Sequence, residues 1–194
     1  SHWHRFWFST AANTQGVPNE PAGMAPSPFE SFATWSDQDA PGDQMTDPGA
    51  TGIVDDSFPK GAAMKQWLVN VGGSTTPGQL PIRESKENVV SPVDKAKATQ
   101  WITMTNPFSS PPNSVAVEYL SFNTPIPAPD DQKCGRVVYS DLHVSAGDQH
   151  KPWPGGCVTT DLSPQEKALE FMLFDLSSCI QSDQQPPAPP PTVQ

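Results

Sequence analysis

The chain has 194 residues, 24 Pro and 13 Gly, with 35% hydrophobic residues and a formal net charge of −10. One domain with a core fits that length, but the composition requires some of the chain to be loop or linker. With 11 Lys+Arg against 21 Asp+Glu and no basic run, nucleic acid and anionic membrane are excluded as expected partners, and no apolar run reaches the ~20 residues of a membrane span.

Residues 1–8 read as a strand entered midway, with His2, His4, Phe6 and Phe8 on one face and Ser1, Trp3, Arg5 and Trp7 on the other. Two His residues at i and i+2 have a spacing that can chelate a metal; the bland alternative is an aromatic strand end whose histidines only pack or hydrogen-bond. No signal-peptide pattern is read at the start, and because the opening looks like a strand entered midway, the chain is expected to be a piece of a longer protein or a processed product.

Residues 9–56 are rich in Pro, Gly, Asp, Ser and Gln and keep no period, so a long loop is expected; Phe29, Phe32 and Trp35 are expected to pack it onto a core, the alternatives being one short helical turn or a carbohydrate-binding surface. Pro59 at a first-turn position, apolar residues at helical spacing and Gly72-Gly73 predict a helix over 59–71. Short strands follow at Leu80–Arg83, Asn88–Val90 and Trp101–Met104. Residues 114–123 form a longer strand, with Val115, Val117 and Tyr119 on one face and Ala116, Leu120 and Phe122 on the other.

The stretch from Cys134 to Asp148 organises the rest. Its run Arg136-Val137-Val138-Tyr139 is apolar on both faces, which predicts a central strand covered on each side. It turns polar at Ser140–His143, and a His at the end of a buried strand sits where open α/β sheets place ligand crevices. Ser163, Pro164 and Glu166 form a capping-box pattern that starts a helix reaching to about residue 180, apolar around most of its circumference. Such a helix is expected to be nearly buried, with something over its outer side. Residues 182–194 read as a stiff polyproline-like tether to a neighbouring module. The domain is therefore expected over 1–181.

Three cysteines show no metal spacing. A strand of nine or ten residues rises about 30 Å, and a 17-residue helix about 25 Å. If the two pack antiparallel, Cys134 and Cys179 lie at one end and can bridge, leaving Cys157 as the odd thiol. A bridge implies an oxidising compartment, hence an extracellular or cell-surface location; buried free cysteines are the alternative. Mixed strands and helices favour an α/β layered fold, with a sandwich over residues 80–144 as the other reading.

Two pieces carry a family likeness. Ser1-His2, at the end of an incoming strand, resembles the strand-end His of ThuA-like (trehalose-utilisation) domains in the class I glutamine amidotransferase-like superfamily. Gly135-Arg136-Val137-Val138-Tyr139-Ser140-Asp141-Leu142-His143 is similar to the same family's late strand. The likeness covers residues 1–8 and 134–180. It implies a flavodoxin-like layered sheet with covering helices, of which this chain holds the latter half. No Cys stands at the elbow position, and His143 is followed by Val-Ser rather than by the Pro-Glu of an amidotransferase, so glutamine hydrolysis is disfavoured.

On that resemblance both strand ends open on one edge of the sheet, bringing His2, His4 and His143 to one crevice. Three imidazoles and a carboxylate can bind Zn²⁺. Alternatively, His143 acts as a general acid/base oriented by Asp141 or Asp148. The ligand expected there is a saccharide or another small molecule. The competing class is a non-catalytic extracellular structural or adhesive module of a larger protein.

Overall fold

The structure, a computed structural model, describes residues 5, 7–9, 27–35, 50–83, 86–90, 93–106, 114–142, 144, 161–177 and 180–186. The described strands are β1 (Thr34–Trp35), β2 (Ala50–Val54), β3 (Gln79–Ile82), β4 (Val89–Val90), β5 (Thr99–Asn106), β6 (Ser114–Thr124) and β7 (Gly135–Ser140). The helices are α1 (Pro59–Asn70) and α2 (Pro164–Ser177). They form one sheet in the order β1-β4-β6-β5-β2-β3, with β7 also beside β6. The fold is α/β, a layered sheet with covering helices, as expected.

Strand direction differs from the flavodoxin-like detail: every pairing is antiparallel. Short connections account for two of these pairings, β5–β6 and β6–β7. Seven residues join β5 to β6 and ten join β6 to β7, fewer than the dozen or more that a parallel crossover needs.

β7 is also not central. Among the described residues it pairs only with β6, from Tyr119↔Ser140 to Thr124↔Gly135, and only its Tyr139 is fully buried. Its apolar run arises because both faces are covered. Val138 packs into the core under the helices, while Val137 and Tyr139 pack into the core on the opposite face. An apolar run reports cover on the two faces, not neighbours on the two edges.

The helical-side core contains Phe58, Met64 and Leu68 from the α1 region, Trp101 and Ile102 from β5, and Ala168 and Met172 from α2. The opposite core is aromatic: Phe8, Phe29, Phe32 and Trp35 close over Phe122 and Tyr139. Phe8 stacks on Trp35 at 5.5 Å between centroids. The aromatics near residues 29–35 therefore pack their segment onto the sheet, but the long loop expected over 9–56 is corrected, because that stretch contains β1 and β2, and β2 pairs with both β3 and β5.

Two register shifts between Gln100 and Thr103 set the side-chain directions. Thr103 pairs with Val117 and Ile102 with Tyr119, so Glu118 is an extra residue in β6. Gln100 then pairs with Leu120, so Trp101 is an extra residue in β5. A bulge reverses the alternation. Val117 thus joins Leu120 and Phe122 rather than Tyr119, and the expected face assignment over 114–123 is corrected at Glu118.

α1 begins after Phe58 with Pro59 in its first turn and ends at Asn70, followed by Gly72 at φ +70°. α2 starts with the reciprocal box: the Ser163 hydroxyl accepts from the Glu166 N–H at 3.2 Å, and the Glu166 carboxylate accepts from the Ser163 N–H at 2.7 Å. Its outer side is not fully covered, since Leu173, Phe174 and Leu176 are exposed. Of the strand expected over 1–8, the described residues Arg5, Trp7 and Phe8 are not extended: the Arg5 carbonyl accepts from the N–H groups of both Phe8 and Ser9, as in a turn.

Gly61 lies where α1 crosses the end of β2. A Cβ there would stand 2.0 Å from the Asp55 carbonyl oxygen and 2.8 Å from the Phe58 ring. Gly→Ala inside a helix ordinarily stabilises by about 1 kcal/mol. Here Gly61→Ala is expected to reverse sign and destabilise by about 1–3 kcal/mol through overpacking against backbone. Urea unfolding of the variant reads the sign directly.

Candidate functional site

Two buried polar centres lie at opposite reaches of β7. The first is at its C-terminal end. Asp141 is completely buried, with its backbone N–H donating to the Glu118 carbonyl at the bulge, 2.9 Å away. One carboxylate oxygen accepts from the Tyr139 hydroxyl at 2.8 Å and the other from the Asn88 N–H at 2.9 Å. Burial pushes the Asp141 carboxyl up to about 6, against the opposing pull of these hydrogen bonds. Burial also raises the Tyr139 hydroxyl, and the Asp141 carboxylate beside it adds to the effect.

Arg5 and Glu118 act on Tyr139 with opposite signs. Arg5, Lys86, Glu87, Asn88 and Glu118 are all buried, and the Ser114 hydroxyl donates to the Glu87 carboxylate. Asp141 therefore ties β7 to the approach of β4, with both oxygens engaged by the protein itself.

Of the expected site residues, Asp141 alone is described. His2, His4 and His143 lie outside the described residues, as do Asp148, His150, Cys157 and Cys179. Among the described residues no group of three or more His, Cys, Asp or Glu is arranged to hold a metal ion. Cys134 is an exposed free thiol, which corrects the expected Cys134–Cys179 bridge.

The second centre lies between the sheet and the helices. Lys60 of α1 meets the Asp175 carboxylate of α2 at 2.6 Å and Asp183 at 3.7 Å. Arg136 of β7 reaches Asp175 through Nε at 2.6 Å and Asp183 through a terminal nitrogen at 2.6 Å. The four side chains are 3–7% exposed. Arg136 also donates to the Ser121 hydroxyl and to the Asn123 side-chain oxygen, each at 3.1 Å. The Trp101 indole N–H donates to Ser121 at 2.7 Å, and the guanidinium lies 5.8 Å from the Trp101 ring. Two cations face two anions, so the network is neutral inside an acidic chain.

The sequence reading missed this centre. Asp175 reads as part of α2's polar stripe, and Asp183 lies in a stretch that the composition assigns to the tether. Asp183 is instead buried, so the folded part runs past residue 181. One signal was present: Arg136 stands in an otherwise apolar strand, where an unpaired cation would be costly.

Beside the network opens a polar cleft of about 220 Å³, bounded by the start of β5, the end of β6, the turn Asp130–Gln132 and the segment 180–184. Lys95, Lys97, Thr99, Asn123, Lys133 and Gln181 contribute to its walls.

No family model, curated protein or solved structure matches this chain. Among the described residues, no helix is long and apolar enough to cross a membrane.

Proposed function

We propose that the chain is a non-catalytic structural module of a larger protein, holding its Pro-rich C-terminal stretch as a tether to neighbouring modules. The observation that carries this reading is Asp183. It sits just before the Pro-rich residues and enters the buried network of Lys60, Arg136 and Asp175. The tether thereby leaves the domain from an anchored point, and tension on it would be received by β7, α1 and α2 together. Both oxygens of Asp141 are engaged within the protein, which suits a structural role better than proton transfer to a substrate.

Truncation tests the anchor. A chain ended after Pro186 is expected to keep its melting temperature, while one ended after Gln181 is expected to lose several degrees. Equal melting temperatures for the two would remove the anchor and with it this reading.

A second reading keeps a Zn²⁺ or saccharide-type ligand at His2, His4 and His143, without the strand-end crevice of a ThuA-like domain, since every described strand pairing is antiparallel. It draws on position alone: Asp141 directly follows β7 and lies two residues before His143. Stoichiometric zinc in the purified protein, lost in His143→Ala, is the result it expects. No metal, together with no thermal shift on adding zinc or sugars, would end it.

A further inference from the structure

The polar cleft beside the ion network has no role in the tether reading, and its wall chemistry is selective. Three of the chain's 11 cationic residues, Lys95, Lys97 and Lys133, converge on it from two separate segments. Sequence inspection finds no basic cluster because these residues are brought together only when the turn Asp130–Gln132 folds against the start of β5.

The charges on the cleft leave one cation over. Lys97 pairs with Asp94 at 2.8 Å and also reaches the Ser31 hydroxyl at 3.1 Å. Lys133 pairs with Asp130 at 2.7 Å. Asp183, in the inner wall, is taken by Arg136 at 2.6 Å. Lys95 is exposed and has no ion-pair partner among the described residues. The site therefore favours a ligand with a single negative charge.

Besides the lysines, the wall offers neutral hydroxyl and amide side chains, including Thr99, Asn123 and Gln181. Asn123 is oriented, with its oxygen held by Arg136 and its amide nitrogen directed to the Gln181 carbonyl at 3.5 Å. At about 220 Å³ the space is below the ~300 Å³ at which drug-sized ligands begin. That volume suits one ring. A phosphate group prefers convergent N–H donors or a bidentate Arg fork, whereas donors spread among neutral hydroxyl and amide groups match the scattered hydroxyls of a sugar. We infer that this cleft binds a single acidic sugar ring of the uronic acid class, with its carboxylate at Lys95 and its hydroxyls along the Thr99–Asn123–Gln181 wall.

The test uses the full chain and sodium D-glucuronate, with D-glucose and sodium phosphate as separate probes, followed by NMR of the backbone amides. Saturable glucuronate binding is expected, with shifts concentrated at Thr99, Asn123 and residues 181–184. Glucose should bind at least five-fold more weakly. Lys95→Gln should weaken glucuronate at least five-fold while leaving the melting temperature and the glucose response unchanged. Four results would overturn the inference: no saturable glucuronate binding, shifts elsewhere in the chain, phosphate binding as tightly as glucuronate, or an unaltered affinity in Lys95→Gln. None of them bears on the tether, which truncation tests independently.

Discussion

Arg136→Met is expected to destabilise the fold by about 3–5 kcal/mol, the magnitude for removing one partner of a buried ion pair. The guanidinium is held on both aspartates, on Ser121 and on Asn123, with the side chain only 3% exposed. Methionine would fill much of the volume but leave Asp175 and Asp183 facing each other with Lys60 as their remaining cation. Most of the loss would come from those carboxylates, not from the missing attraction. Arg136→Lys should recover little, because one ammonium cannot reproduce the fork that spans Asp175, Asp183 and Ser121. Urea unfolding at neutral pH measures both variants; a loss below about 1 kcal/mol in Arg136→Met would mean that water reaches the network and screens it.

Asp141→Asn is expected to change how stability depends on pH. The Asp141 carboxyl is raised in the folded protein from its ordinary value of 3.8 to about 6, so between those values the folded state binds more protons than the unfolded chain. Stability from this group is then fully present below about pH 4 and is lost as pH rises through 6. A shift of about two units corresponds to about 3 kcal/mol.

Asparagine keeps the shape, can accept from the Asn88 N–H and can donate to the Tyr139 oxygen, yet carries no charge. Relative to wild type, Asp141→Asn should therefore gain stability between pH 4 and pH 7. Comparing unfolding free energies at those two pH values cancels the other titrating groups. An identical difference in the two proteins would show that Asp141 does not titrate there.

The legible parts of the fold are those fixed by local chemistry. Pro59 and Gly72 bracket α1, Ser163 and Glu166 start α2, and alternating apolar residues mark β5 and β6. What sequence pattern hid was relational. The position of β7 beside β6, with no described strand on its other edge, depends on pairing, which a run apolar on both faces does not encode. The bulge at Glu118 depends on a count mismatch between two strands, visible only once they are paired.

The ion network was hidden for the same reason. Lys60, Arg136 and the pair Asp175 and Asp183 come from three separate parts of the chain, and all but Arg136 look like ordinary surface charges. At the candidate site, Asp141 was legible as the polar residue ending an apolar strand. Its partners Asn88 and Glu118 were not, because strand pairing brings them there.

The most direct test of the anchored tether is a double-mutant cycle between Arg136 and Asp183, using Arg136→Ala, Asp183→Ala and the double variant in urea unfolding. If Asp183 joins the tether to the sheet, the two losses should fall short of additivity by about 1–3 kcal/mol. Strict additivity would contradict the account, since it would mean that the segment before the Pro-rich stretch rests against the domain without being held by it.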